Sequence, residues 1–263
     1  MQKGKILNTI QRYLLNEPQG SVKWSVTNDE ATIHFLTQDK SCRGIVQQKG
    51  VELEDGVFGI YDTPKFKQVF GALDNDVVLE YHTNHGMQTA LYIKDSTITV
   101  DYLLSSLDVL FNEQDPDPEI ARPLKAVPNP NVVFNITSDF VNRFVKSKNA
   151  LPDAQIFAVT AASNIGGAGE TATCEFIINY STHPTNQIRI PVSCTVNVDM
   201  DLVAFNADTF KEILLANRDF TRAEIKVYHI YDSVLGRTKG MIESEFWGED
   251  WHSIYRLNKI ELV

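Results

Sequence analysis

Cysteine is scarce in this 263-residue sequence. Cys42, Cys174 and Cys194 are odd in number and lack C-x-x-C spacing, so they read as reduced core or surface thiols, not a disulfide framework. Long apolar runs are missing too. No stretch approaches the roughly 20 apolar residues that span a bilayer. Asn8, Thr9, Gln11 and Arg12 interrupt the N-terminal segment where a secretory signal would be continuous, so a cytoplasmic location is expected. Positive charge is in short supply, with 24 Lys and Arg against 34 Asp and Glu and a net charge of −10. Nucleic-acid-binding domains are usually basic. An acidic chain meets phosphates only if its cations are gathered on one face.

Signatures of chemistry are equally thin. The run GGAGE at 166–170 lacks the G-K-[ST] ending of a phosphate-binding loop and reads as a flexible hairpin. His82 and His85 are three apart, which does not put both on one strand face, and no third zinc ligand lies near them. Asp199 and Asp201 suit a turn between strands, and Cys174 and Cys194 alternate with core residues as buried thiols do. No catalytic residue, metal or cofactor is expected.

Alternation of apolar and polar residues is what the chain has in abundance. Val22, Trp24 and Val26 show it, as do Cys174, Phe176, Ile178 and Tyr180, and the longest case runs from Ile188 to Val198. Period two marks strands with one buried face. Pro191 interrupts the longest one, and proline cannot donate to a ladder, so that strand is predicted to lie at a sheet edge or to carry a bulge. Four segments show helical spacing instead: Lys3–Leu15, Thr63–Leu73, Ser138–Ala150 and Asn206–Arg218, each with a narrow apolar stripe. Phe66, Phe140 and Phe210 open three of those stripes. Each has strand-type apolar positions six and eight residues upstream (Ile60 and Phe58, Phe134 and Val132, Ala204 and Leu202) and a capping residue nearby (Asp62, Ser138, Asn206). A strand that runs into a short helix and then into further strands therefore recurs, a four-fold repeat of pattern.

Between the second and third repeats, NEQDPDPEIARPLKAVPNPN (112–131) holds five of the ten prolines and no periodicity. It reads as an extended linker between a domain over 1–111 and a domain over 132–263.

Charge is sorted by element. The four helical segments hold Lys3, Lys5, Arg12, Lys65, Lys67, Arg143, Lys146, Lys148, Lys211 and Arg218 against only Asp139, Asp208 and Glu212. Lysine and arginine are good helix formers, but glutamate is equally good and occurs there once, so propensity alone does not account for the bias. A surface that faces phosphates does.

The order and spacing of these elements resemble the DNA sliding-clamp family of processivity factors, which includes the T-even bacteriophage clamp and the eukaryotic proliferating cell nuclear antigen. The resemblance extends over the whole chain and is densest in GIYDTPKFKQVFGALDNDVVLEY (59–81), VVFNITSDFVNRFVKSKN (132–149) and GMIESEFWGEDWHSIYRLNKIEL (240–262); NIGGAGETA (164–172) departs from it as an insertion. It implies an α+β fold of two similar clamp domains. Each would hold two strand–helix–three-strand repeats with helices on one face of antiparallel sheets. It implies a non-enzymatic homotrimeric ring encircling duplex DNA without regard to sequence, opened by an ATP-driven clamp loader and tethering a DNA polymerase. The ten helical cations above would line the hole. The strand with Ile188, Ile190, Val192, Cys194 and Val196 would join the next subunit through the strand Asp101–Phe111, with Tyr102, Leu104 and Leu107. Ile120, Leu124 and Val127 on the linker and Leu257, Ile260 and Leu262 near the C-terminus would wall a pocket for a partner peptide. The competing reading is a non-enzymatic structural or scaffold protein, rich in β-structure, that binds only protein.

Overall fold

Period-two segments fold as strands and period-3.6 segments as helices in the computed structural model, which describes residues 3–16, 20–74, 76–84, 87–108, 110, 129–162, 171–183, 185–232 and 237–261. The helices are α1 (Lys3–Leu14), α2 (Thr63–Ala72), α3 (Ser138–Ala150) and α4 (Ala207–Ala216). The chain divides into two compact units, one of Met1–Lys125 with Glu249–Ser253 and one of Ala126–Gly248 with Ile254–Val263. The segment 249–253 thus returns to the first unit. The linker from 112 to 128 and the insertion from 164 to 170 lie outside the described residues.

The first unit pairs β1 (Val22–Thr27), β2 (Glu30–Leu36), β3 (Cys42–Lys49) and β4 (Gly56–Ile60) in the order β3-β2-β1-β4. A second sheet runs β5 (Val78–Asn84), β6 (Met87–Lys94), β7 (Thr99–Leu103). All these ladders are antiparallel. Alternation drives burial: Trp24 sits opposite Phe58 in the β1–β4 register and stacks on it at 5.7 Å. Tyr13 of α1 and Phe66 of α2 meet the same indole edge-on, at 6.2 and 6.4 Å. One tryptophan thereby fixes both helices to the sheet. Gly59 of β4 admits a close crossing, since a Cβ there would lie 2.9 Å from the Ser105 carbonyl. Ser105 bridges to Gly59, donating its N–H to the Gly59 carbonyl at 2.9 Å.

The second unit runs β8 (Val132–Asn135), α3, β9 (Ile156–Ala162), β10 (Thr171–Ile178), β11 (Ile188–Val196), β12 (Met200–Asn206), α4, β13 (Arg222–Asp232), β14 (Arg237–Trp247) and β15 (Trp251–Asn258). The order β12-β9-β10-β11-β8-β13-β14-β15 joins two repeats of strand, helix and three strands. Its core is phenylalanine. Phe144 and Phe157 lie 4.9 and 4.8 Å from Phe210, and Phe176 lies 5.0 Å from Phe140 and 5.9 Å from Phe157.

Capping starts three of the helices as the side chains dictate. The Asp62 carboxylate accepts from the Lys65 N–H at 2.9 Å and the Asn206 amide oxygen from the Thr209 N–H at 2.9 Å. On α3 the cap is Thr137, not the expected Ser138; its hydroxyl accepts from the Phe140 N–H at 3.2 Å. Both residues are good caps, and the backbone decides, because Thr137 is extended whereas Ser138 is already helical.

The expected strand Asp101–Phe111 is shorter and earlier: β7 ends at Leu103 and the chain then crosses Gly59. Pro191 lies in an unbroken ladder with β10 that runs from Ile188 to Thr195 without a bulge, so its tolerance has to come from the other edge.

A tight turn follows β6. The Asp95 carboxylate accepts N–H groups of Asp74 (2.7 Å), Thr97 (2.7 Å) and Ile98 (2.5 Å), and these bonds hold its pKa down at about 2 from 3.8. A depressed folded-state pKa contributes stability above the unfolded value that is lost as pH falls through the folded one. Asp95→Asn is therefore expected to flatten the stability of the first unit between about pH 4 and pH 2. Urea unfolding at a series of pH values checks this.

Candidate nucleic-acid interface

In each unit two helices pack side by side and turn their polar residues away from the strands. Lys65 on α2 and Arg143 and Lys146 on α3 are exposed, as is Arg218 just beyond α4; Lys3, Lys5, Lys67 and Lys211 are half-exposed. Arg143 pairs with Asp139 one turn earlier at 2.9 Å, an arrangement that leaves its guanidinium at the surface.

Two of the ten predicted cations are corrected by burial. Arg12 is 1% exposed, with its guanidinium carbon 3.7 Å from the centre of the Trp251 ring. Lys148 is 3% exposed, pairs with Asp208 at 2.8 Å and donates to the Pro152 carbonyl at 2.8 Å. A buried charge stays only where it is paired, and both have found partners inside the unit. Others divide their role. Lys3 donates to the Gly71 carbonyl at 3.2 Å and to that of Leu73, at the end of α2, where the helix dipole favours a cation. Lys5 pairs with Asp250 at 2.6 Å, and Lys67 donates to Gln11. Four of the ten cations, Lys65, Arg143, Lys146 and Arg218, thus remain fully exposed.

Acidic residues concentrate on the strands. On β13 and β14, Glu224, Glu243 and Glu245 surround Lys226 at 3.2, 3.5 and 3.4 Å, and Arg256 donates to Glu243 at 2.7 Å. The separation of cationic helices from acidic strands that the sequence implies is thus present within a unit.

Two strand edges lack a ladder partner among the described residues. β7 pairs only with β6, and β11 meets β8 only through Thr195 and Val196. Of the predicted interface residues, Ile190, Cys194, Val196 and Tyr102 are buried and Ile188, Val192, Leu104 and Leu107 half-buried. These side chains therefore serve their own cores and the edges offer backbone. Sequence reading missed the exposed residues there. Leu103 is 80% exposed, with Asp101 beside it and Arg189 on β11; a leucine amid Tyr102, Leu103 and Leu104 carries no alternation signal to mark it as outward-facing.

The predicted peptide pocket is reduced. Leu257 is 1% exposed and belongs to the core, because it alternates with Tyr255 and Ser253 on the inner side of β15. Ile260 is half-buried, its N–H held by the Ala204 carbonyl at 2.8 Å. Ile120, Leu124, Val127 and Leu262 lie outside the described residues. All three cysteines are buried, and the Cys174 thiol is pushed well above its ordinary value by its hydrogen bond with Cys194 and by burial. Among the described residues no group of three or more His, Cys, Asp and Glu is placed to hold a metal, and no helix is long and apolar enough to cross a membrane.

No known protein family and no curated protein matches the chain by sequence. A solved structure does. The crystal structure of proliferating cellular nuclear antigen from Entamoeba histolytica superposes with a TM-score of 0.67 over 99% of this chain and 96% of that one, at 10% identity. The chain has the sliding-clamp fold. Similarity over nearly the full length of both proteins means that the clamp fold accounts for both units and for the repeat within them. At 10% identity it speaks for the path of the chain and not for its side chains.

Proposed function

We propose that this protein is a DNA sliding clamp: copies of the chain join head to tail into a closed homotrimeric ring, and the ring tethers a polymerase to duplex DNA. The single observation that carries the reading is the clamp fold spanning the whole chain. The exposed Lys65, Arg143 and Lys146 and the open edges of β7 and β11 agree with it.

No step of the activity breaks a covalent bond. The hold on DNA is topological, and the lining only has to keep the phosphates centred. Phosphate contacts carry no sequence information, so flexible cations that trade one phosphate for the next let the ring move along the duplex. Acidic strands repel DNA from the outside and favour threading over side-on binding. Opening the ring falls to an ATP-driven clamp loader. The half-buried Ile260 stays in the proposal as one wall for a short apolar peptide of the loader or polymerase.

Threading onto linear duplex tests this without a loader. The protein is expected to accumulate on duplexes with free ends that are blocked after mixing, and to be absent from duplexes blocked at both ends beforehand. Equal binding to both would show side-on attachment and sink the clamp reading.

A further inference from the structure

The two open edges also specify how one copy meets the next. On β11 the Asn197 N–H donates to the Asn131 carbonyl at 2.8 Å on the β8 side. Backbone groups of an antiparallel strand alternate sides, so Arg189, Pro191 and Ser193 point to the open edge and Ile188, Ile190 and Val192 to β10. Pro191 therefore costs the β10 ladder nothing, since its missing N–H faces outward. On β7 the Leu104 N–H donates to the Thr89 carbonyl at 3.0 Å and the Ser105 N–H to the Gly59 carbonyl on the opposite side. By the same alternation Thr99, Asp101 and Leu103 face the open edge.

Resting on the clamp reading, we propose that β7 of one copy pairs antiparallel with β11 of a second copy in one register, with Leu103 opposite Arg189, Asp101 opposite Pro191 and Thr99 opposite Ser193. Three outward residues on each edge then face each other, and only the bond that Pro191 cannot donate is lost. Slipping by two residues in one direction sets Leu103 against Gln187, before the strand begins. Slipping the other way sets Thr99 against Thr195, whose place is filled by Val133. A slip of one residue exchanges the buried and solvent faces.

Side chains agree with this register. On the core side it aligns Tyr102 with Ile190 and Val100 with Val192, all apolar or aromatic. On the outer side it covers the exposed Leu103 with the aliphatic stem of Arg189 and the ring of Pro191. It also sets Asp101 diagonally from Arg189. In the single chain Asp101 has only a 3.8 Å contact with His82, and Arg189 holds Glu175 at 2.8 Å. The guanidinium has five donors and can serve both carboxylates.

Cysteine pairs read the register directly, because a disulfide forms only where the Cα atoms come within about 7 Å. Under mild oxidation with glutathione disulfide, L103C/R189C is expected to give covalently linked copies in at least about tenfold higher yield than L103C/P191C or D101C/R189C, which report the two slipped registers. The unsubstituted chain controls for the buried native thiols. The multimer mass of each variant is measured before oxidation. A multimer that links best through either slipped pair overturns the register while leaving the clamp reading in place. Variants and unsubstituted chain that are all monomeric overturn both.

Discussion

Replacing Phe210 with alanine is expected to destabilise the second unit by about 3–5 kcal/mol, the usual cost of deleting a fully buried aromatic ring. Phe210 is fully buried and touches three other buried rings, Phe144 at 4.9 Å, Phe157 at 4.8 Å and Phe176 at 6.3 Å. They come from α3, β9 and β10, so the cavity would open where one repeat meets the next and no single element can collapse to fill it. With a urea slope of about 1–3 kcal/mol per molar, the midpoint should fall by one to several molar. Phe210→Leu retains much of the volume and is expected to lose less than half as much. An alanine variant that unfolds within about 1 kcal/mol of the original would mean that the aromatic cluster does not hold the two repeats together.

Reversing Lys65, Arg143 and Lys146 together (K65E/R143E/K146E) is expected to lower retention on threaded DNA by about two orders of magnitude or more near 0.1 M salt. All three are exposed on helices and make no contact that the fold needs; the only ion pair among them is the surface pair Arg143–Asp139, and exposed pairs of that kind contribute about 0–1 kcal/mol. Unfolding midpoint and assembly mass should therefore be unchanged. The dependence on salt distinguishes loss of phosphate contacts from any other defect, since each contact removed shortens the log–log slope by about 0.9. Arg12→Met and Lys148→Met serve as contrasts. Both cations are buried, so these changes should lower stability and leave the salt slope as it was. Unaltered retention by the triple variant would remove the helices from the DNA-facing role.

Much of this architecture was written in local patterns. The helices begin and end within two residues of the spans that apolar spacing marked out, because each has one narrow stripe and a side chain able to cap it. Pro191 announced its edge through chemistry that depends on no other part of the chain. What was illegible depends on distant partners. Nothing near Arg12 says that Trp251 will cover it, and nothing near Lys148 says that Asp208 will start the helix against which it packs. A cation on a helix looks the same in sequence whether it ends in solvent or beneath an indole. β7 was misplaced for a related reason: Tyr102, Leu103 and Leu104 are apolar in succession, so alternation fails there, and the strand stops because Gly59 lets the chain cross. Leu257 carried no sign that its face of β15 is the inner one.

Head-to-tail closure is the claim on which the rest stands, and sedimentation equilibrium at tens of micromolar measures it most directly. The account predicts a discrete species with the mass of three chains, losing subunits only on dilution. A single chain at every concentration, or an open-ended series of ever larger species, would contradict it.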